Sequence, residues 1–153
     1  MRLFDGGFFR RRWQALLCAA LLALAPGCGK NPGNDSAMTP QDLAQRHFSL
    51  VSFDGKDFSA REPAPSIDFD ERLHISGAVC NRFRGQGHLD GNVLTATQLV
   101  FTRMLCADQA LNELENLLAQ MLASGAELRL TGQHLVLRQG GHELRYKLGD
   151  QAR

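Results

Sequence analysis

The chain has 153 residues, enough for one compact domain around one core, and its 44% hydrophobic and 22% charged residues exclude both general disorder and a multi-span membrane protein. The formal charge of +1 hides an asymmetry: taking Arg2, Arg10, Arg11, Arg12 and Asp5 from totals of 17 basic and 16 acidic residues leaves 13 and 15, a net of −2 after residue 27. With no dense Lys/Arg run to displace counterions from phosphates, the sequence argues against nucleic acid as a partner.

The first element is a leader. Arg10-Arg11-Arg12 precedes the apolar run Ala15 to Ala25, and Pro26-Gly27-Cys28 closes it, the order of a secretory signal. A helical span needs about 20 apolar residues, and this run is much shorter. Ala25-Pro26-Gly27-Cys28 resembles the lipobox of bacterial lipoproteins, in which the cysteine takes diacylglycerol and becomes the new N-terminus; Gly27 fits that pattern, whereas Ala25 and Pro26 depart from it. The expectation is a signal peptide over 1–27, lipid on Cys28, and attachment to the outer membrane facing the periplasm, since Gly29 is not the Asp that goes with inner-membrane retention. Simple cleavage near Gly27 with a free Cys28 is the alternative. Residues 28–40, rich in Gly, Asn, Pro and Ser, read as a flexible tether.

A domain is expected over 41–149. Thr39-Pro40-Gln41-Asp42 is a short helical start, His47–Phe53 a strand, and Asp54-Gly55-Lys56 its hairpin turn. Strands are predicted at Ser66–Phe69 and Leu73–Gly77. Gly85, Gly87 and Gly91 cut the next stretch into the short pieces Gln86–Leu89 and Val93–Ala96, with Leu99–Thr102 a further short run. From Asp108 the period changes: Leu111, Leu114, Leu117, Leu118, Met121 and Leu122 recur at threes and fours, a helix with Asp108 as N-cap and Gly125 as its stop. Strand alternation returns at Leu128–Thr131, His134–Arg138 and Glu143–Leu148. The fold class expected is α+β: a β-rich small domain of short antiparallel strands, barrel-like, with one main α-helix.

With these elements placed, the chain resembles the META-domain family, and within it the HslJ heat-shock group. The resemblance rests on Ser76-Gly77-Ala78-Val79-Cys80-Asn81-Arg82-Phe83-Arg84-Gly85, Thr102-Arg103-Met104-Leu105-Cys106-Ala107 and Leu111-Asn112-Glu113-Leu114, in that order, with Leu135-Val136-Leu137 and Tyr146-Lys147-Leu148 after them. It implies a small α+β envelope module connected with heat shock and antibiotic tolerance, and no established enzymatic activity.

Cys80 and Cys106 carry two readings. In an exported domain an even pair reads first as a disulfide. The other reading is a thiol redox protein or enzyme, for which Arg82, Arg84 or His88 would lower a thiol pKa; no CxxC supports it. Asn81 and Gly77 read as backbone-geometry residues. The stretch Asn81–Gly85 reads as a loop, and Asn81, Arg82 and Arg84 are the candidate binding residues. His47, His74, His88, His134 and His142 are scattered without zinc-motif spacing, no phosphate loop or nucleophile elbow is present, and no Ser/His/Asp order lies close in sequence. Glu113 and Glu115 read as solvated charges. No metal and no cofactor is expected; the expected partners are the membrane, through the lipid, and an envelope protein or ligand.

Overall fold

The computed structural model describes residues 37–149. The leader, Cys28 and most of the tether lie outside the described residues.

Eight antiparallel strands form a closed barrel. They are β1 (Arg46–Phe53), β3 (Ser66–Phe69), β4 (His74–Ala78), β5 (Arg82–Asp90), β6 (Val93–Phe101), β7 (Ala126–Thr131), β8 (His134–Gln139) and β9 (His142–Leu148). Each pairs with the next in this order, and β9 closes on β1. A two-residue strand, β2 (Lys56–Asp57), folds back on β1 through Asp54 and Gly55, both at positive φ, as the expected hairpin requires. Closure is possible because β1 serves two partners. Arg46–Ser49 pair with β3 while Phe48–Phe53 pair with β9 across a register shift between Leu50 and Ser52.

Period-2 alternation sends Phe48, Leu50, Ile67, Phe69, Ile75, Phe83, Leu94, Leu128, Leu135, Leu137, Leu144 and Tyr146 into one core. Burying each such side chain favours the fold by about 1.5–3 kcal/mol relative to exposure.

A short helix, α1 (Pro40–Leu43), precedes β1, and the Asp42 carboxylate accepts from the Thr39 N–H at 2.7 Å and the Thr39 hydroxyl at 2.8 Å. The main helix, α2 (Gln109–Ser124), begins where the sequence places it: Asp108 accepts from the N–H groups of Ala110 and Leu111 at 2.9 and 3.3 Å, and Gly125 at φ 104° ends it. Its 16 residues cover about 24 Å, enough to run back along β6 to β7, which pairs with β6 only at Val93 and Leu94. Leu114, Leu118, Met121 and Leu122 of α2 are fully buried.

The glycine-rich stretch departs from expectation. Instead of short pieces, β5 and β6 are continuous nine-residue strands. Gly77 and Gly87 stand where neighbouring chain comes too close for a side chain, while Gly91, at φ 57°, makes the turn between the two strands. A Cβ on Gly77 would lie 2.1 Å from the Ser66 carbonyl oxygen, and one on Gly87 would lie 2.5 Å from that of Leu73. Opposite Gly85, β6 carries one extra residue, with Gln98 at φ 52°, a bulge that bends the strand into the barrel. Gly77→Ala is therefore expected to destabilise the domain by about 1–3 kcal/mol through forced separation of β3 from β4. A thermal melt unchanged by this substitution would contradict the tight β3–β4 approach.

Candidate functional site

The residues singled out in the sequence meet at one end of the β4–β5 hairpin. Ala78 and Arg82 pair across it, so Val79, Cys80 and Asn81 form its tip. The segment between β6 and α2 packs on this tip and brings Cys106 to disulfide distance from Cys80, with 6.0 Å between their Cα atoms.

Asn81 is a structural hub and only 5% exposed. Its side-chain NH2 donates to Glu115 Oε1 at 3.0 Å and to the Met104 carbonyl at 3.3 Å. Its side-chain oxygen accepts from the Met104 N–H at 2.7 Å and from the Thr102 hydroxyl at 2.9 Å. Its own N–H donates to Glu115 Oε2 at 2.8 Å. A buried amide with both ends bonded fixes its neighbours, because any shift strands a polar group away from water. Glu115, expected to be a solvated charge, instead ties α2 to the hairpin tip. Its sequence neighbours are those of any helical carboxylate, and only the approach of α2 to Asn81 gives it this task.

Arg82 and Arg84 lie on β5, not in a loop; Asn81 alone of the three is at the turn. Phe83 between them points inward against Phe101, ring centroids 5.4 Å apart, so both arginines point outward. The Thr102 hydroxyl also accepts from the Arg82 N–H at 3.1 Å, which locks the start of the strand. Neither arginine has a carboxylate within 4.0 Å among the described residues. They line an open groove of 590 Å³ together with Ser66, Asp68, Ser76 and Val100. A second groove of 690 Å³ shares Ser76, Arg84 and Val100.

One end of this face carries an arrangement absent from the sequence reading. With its proton on Nδ1, His47 donates to Asp68 at 2.6 Å, and its Nε2 lies 3.4 Å from the Ser49 hydroxyl. Ser49, His47 and Asp68 thus stand in the order used by hydrolases. The signal in the sequence was the i, i+2 spacing of His47 and Ser49 on one strand face; Asp68 joins them only through the β1–β3 register. Acyl transfer also needs free N–H donors for the developing oxyanion. At Ser49 β1 is laddered to β3 and β9 together, which uses those donors.

The sequence model of the META domain family matches residues 41–151. The chain belongs to that family. The chain is also 43% identical over 131 residues to the heat shock protein HslJ of Escherichia coli K12, covering 86% of this chain and 92% of that protein. An NMR structure at 42% identity superposes with a TM-score of 0.69, covering 76% of this chain and 99% of the solved one. An NMR structure from Burkholderia xenovorans at 20% identity and TM-score 0.58, covering 73% of this chain and 87% of its own, shares the fold. Neither family nor relative carries a name that denotes a catalytic activity.

Two of the other histidines of this META domain, His74 and His142, are surface partners of aspartates. His74 meets Asp70 at 2.7 Å and His142 meets Asp54 at 2.7 Å. Among the described residues no three His, Cys, Asp or Glu side chains converge as a metal would require.

Carboxylates account for the acid response. The Arg61 guanidinium holds the Asp108 carboxyl below its ordinary value, helped by the N-cap bonds, and Arg145 and Arg138 do the same for Glu143. A carboxylate depressed on folding stabilises above its unfolded pKa, and that stability is lost as pH falls through the folded one. The melting temperature is accordingly expected to hold near neutrality and to fall below about pH 4. Glu143→Gln should make that decline shallower in pH-dependent melts, whereas a profile identical to wild type would remove Glu143 from the account.

Proposed function

We propose that the chain is made as an envelope lipoprotein whose META domain is a non-catalytic binding module serving heat-shock or antibiotic stress tolerance. Residues 1–27 direct export, Cys28 carries the lipid, and the following segment lets the domain stand off the outer membrane. The domain then presents its β3–β6 face, with Arg82 and Arg84, to an envelope partner or ligand.

The observation that carries the binding reading is the Asn81 hub. A buried amide, an engaged carboxylate and a cysteine pair at bonding distance all fix one short segment and the first residue of β5. Such fixation lowers the ordering cost of binding. The name of the HslJ relative supports the heat-shock connection.

Two measurements test the proposal. Wild-type protein should partition with outer membranes and be processed in a globomycin-sensitive step, while Cys28→Ser should abolish both; a fully soluble wild-type product lacking Cys28 would overturn the anchor. Cells producing Arg82→Ala/Arg84→Ala in place of wild type should lose the survival advantage at elevated temperature with protein levels unchanged. Full survival would remove the β3–β6 face from the function.

A further inference from the structure

Strand register arranges the outward residues of the β3–β6 face in rows. His47, Asp68, Ser76, Arg84 and Val100 are successive cross-strand partners, and Ser66, Ala78 and Arg82 form the next row. Charge is uneven along them. The Asp68 carboxylate is engaged by His47, whereas Arg82 and Arg84 stand side by side without a carboxylate. Two residues apart on one strand, their Cα atoms are about 7 Å apart, so the two guanidinium groups can converge on one oxyanion from both sides. The Ser66 and Ser76 hydroxyls face the same groove and have no hydrogen-bond partner among the described residues.

Apolar side chains continue from the Val100 edge of this groove. Val100 is 52% exposed, and the chain that continues from it carries Met104 at 63% and Leu105 at 101% exposure. These are three of the four large hydrophobic side chains exposed among the described residues, and they fall within six positions of one another. Asn81 holds both the N–H and the carbonyl of Met104, which fixes the backbone of this exposed segment. Three exposed apolar side chains this close in the chain, next to cations without a carboxylate, fit a contact surface.

We propose that this face binds an amphipathic oxyanion. Arg82 and Arg84 take its carboxylate or phosphate, with Ser66 and Ser76 donating to the remaining oxygens, while Val100, Met104 and Leu105 cover the attached hydrocarbon chain. A bare inorganic anion would leave the apolar side chains wet, and a neutral apolar molecule would leave the cations unpaired. An anionic lipid headgroup in a bilayer and a free fatty-chain anion share this chemistry. The proposal deepens the binding reading above and rests on it.

The test uses the chain from residue 29 onward, since the solved 42%-identical relative is the same domain standing alone. Titration by calorimetry with dodecyl phosphate below its micelle concentration should give saturable binding. Dodecyltrimethylammonium, dodecyl maltoside and inorganic phosphate should each bind at least roughly tenfold more weakly. Arg82→Glu/Arg84→Glu and, separately, Met104→Ser/Leu105→Ser should each weaken dodecyl phosphate by roughly tenfold or more, with melting temperatures confirming that both variants fold. If the glutamate pair unfolds, Arg82→Gln/Arg84→Gln replaces it. Flotation with phosphatidylcholine vesicles, with and without phosphatidylglycerol, separates the sources: binding only to phosphatidylglycerol vesicles assigns a bilayer headgroup, and binding to dodecyl phosphate assigns a free amphiphile. Equal affinity for the cationic or neutral detergent, unchanged binding by the variants, or no binding in either format overturns the proposal. Should that happen while Arg82→Ala/Arg84→Ala still costs heat survival, the face serves a different ligand class and the broader binding reading stands.

Discussion

Asn81→Ala is expected to destabilise the domain by about 3 kcal/mol, because it removes four hydrogen bonds at a buried site and leaves the Met104 N–H without its acceptor. For a domain of this size that lowers Tm by roughly 10–15 °C. Asn81→Asp is the sharper variant. It keeps the acceptor for Met104 and Thr102 and nearly the same shape, but it turns the donor to Glu115 into a second carboxylate. Two carboxylates in contact repel, and the charged form is penalised by burial. Asp should consequently be no better tolerated than Ala at neutral pH and should recover part of its stability on mild acidification, when the pair can share a proton. Urea unfolding of the three proteins at two pH values decides this. An alanine variant within about 0.5 kcal/mol of wild type, the range of an ordinary surface change, would show that the hub is not structural.

Loss of the Cys80–Cys106 bond is expected to cost about 3.5 kcal/mol by the chain-entropy relation for a separation of 26 residues. The readout is the Tm of oxidised protein against protein reduced in dithiothreitol and against Cys80→Ala/Cys106→Ala. Mass spectrometry without reductant should find the pair bonded quantitatively in protein isolated from cells. A free thiol that alkylates rapidly would instead support thiol chemistry at this site and would count against the non-catalytic reading. Asn81 and the cysteine pair secure the same segment between β6 and α2, so their effects should not add. The double-mutant cycle should show the second lesion costing less once the first has freed the segment, while strict additivity would mean that the two act on independent parts of the domain.

Binding should respond to the same lesions. Freed from Asn81, Met104 and Leu105 would collapse toward nearby apolar surface or sample many positions, and either outcome raises the cost of ordering them on a ligand. Asn81→Ala is thus predicted to weaken dodecyl phosphate binding below its melting range, although Asn81 lines neither groove.

Much of this protein was legible in its residues because the signals were local. The change of period at Asp108 marked α2, since six apolar side chains can share a face only at helical spacing, and Asp108 and Gly125 carried its ends in their own chemistry. Asp54-Gly55 marked a hairpin because glycine adopts positive φ without strain. The barrel-like α+β class followed from counting short alternating strands around one helix, and the two cysteine-bearing segments supported the family. What tertiary structure alone decided were relations between distant positions. Gly87 looks like a break in a strand until the Leu73 carbonyl is seen 2.5 Å from where a Cβ would stand. Glu115 looks like a solvated charge until α2 brings it to Asn81, and Asp68 joins His47 only through cross-strand register. The sequence carries each residue's preferences within a few neighbours; closure of the barrel sets which preferences meet, and that is why the hub, the arginine groove and the exposed Met104–Leu105 tip became visible only in three dimensions.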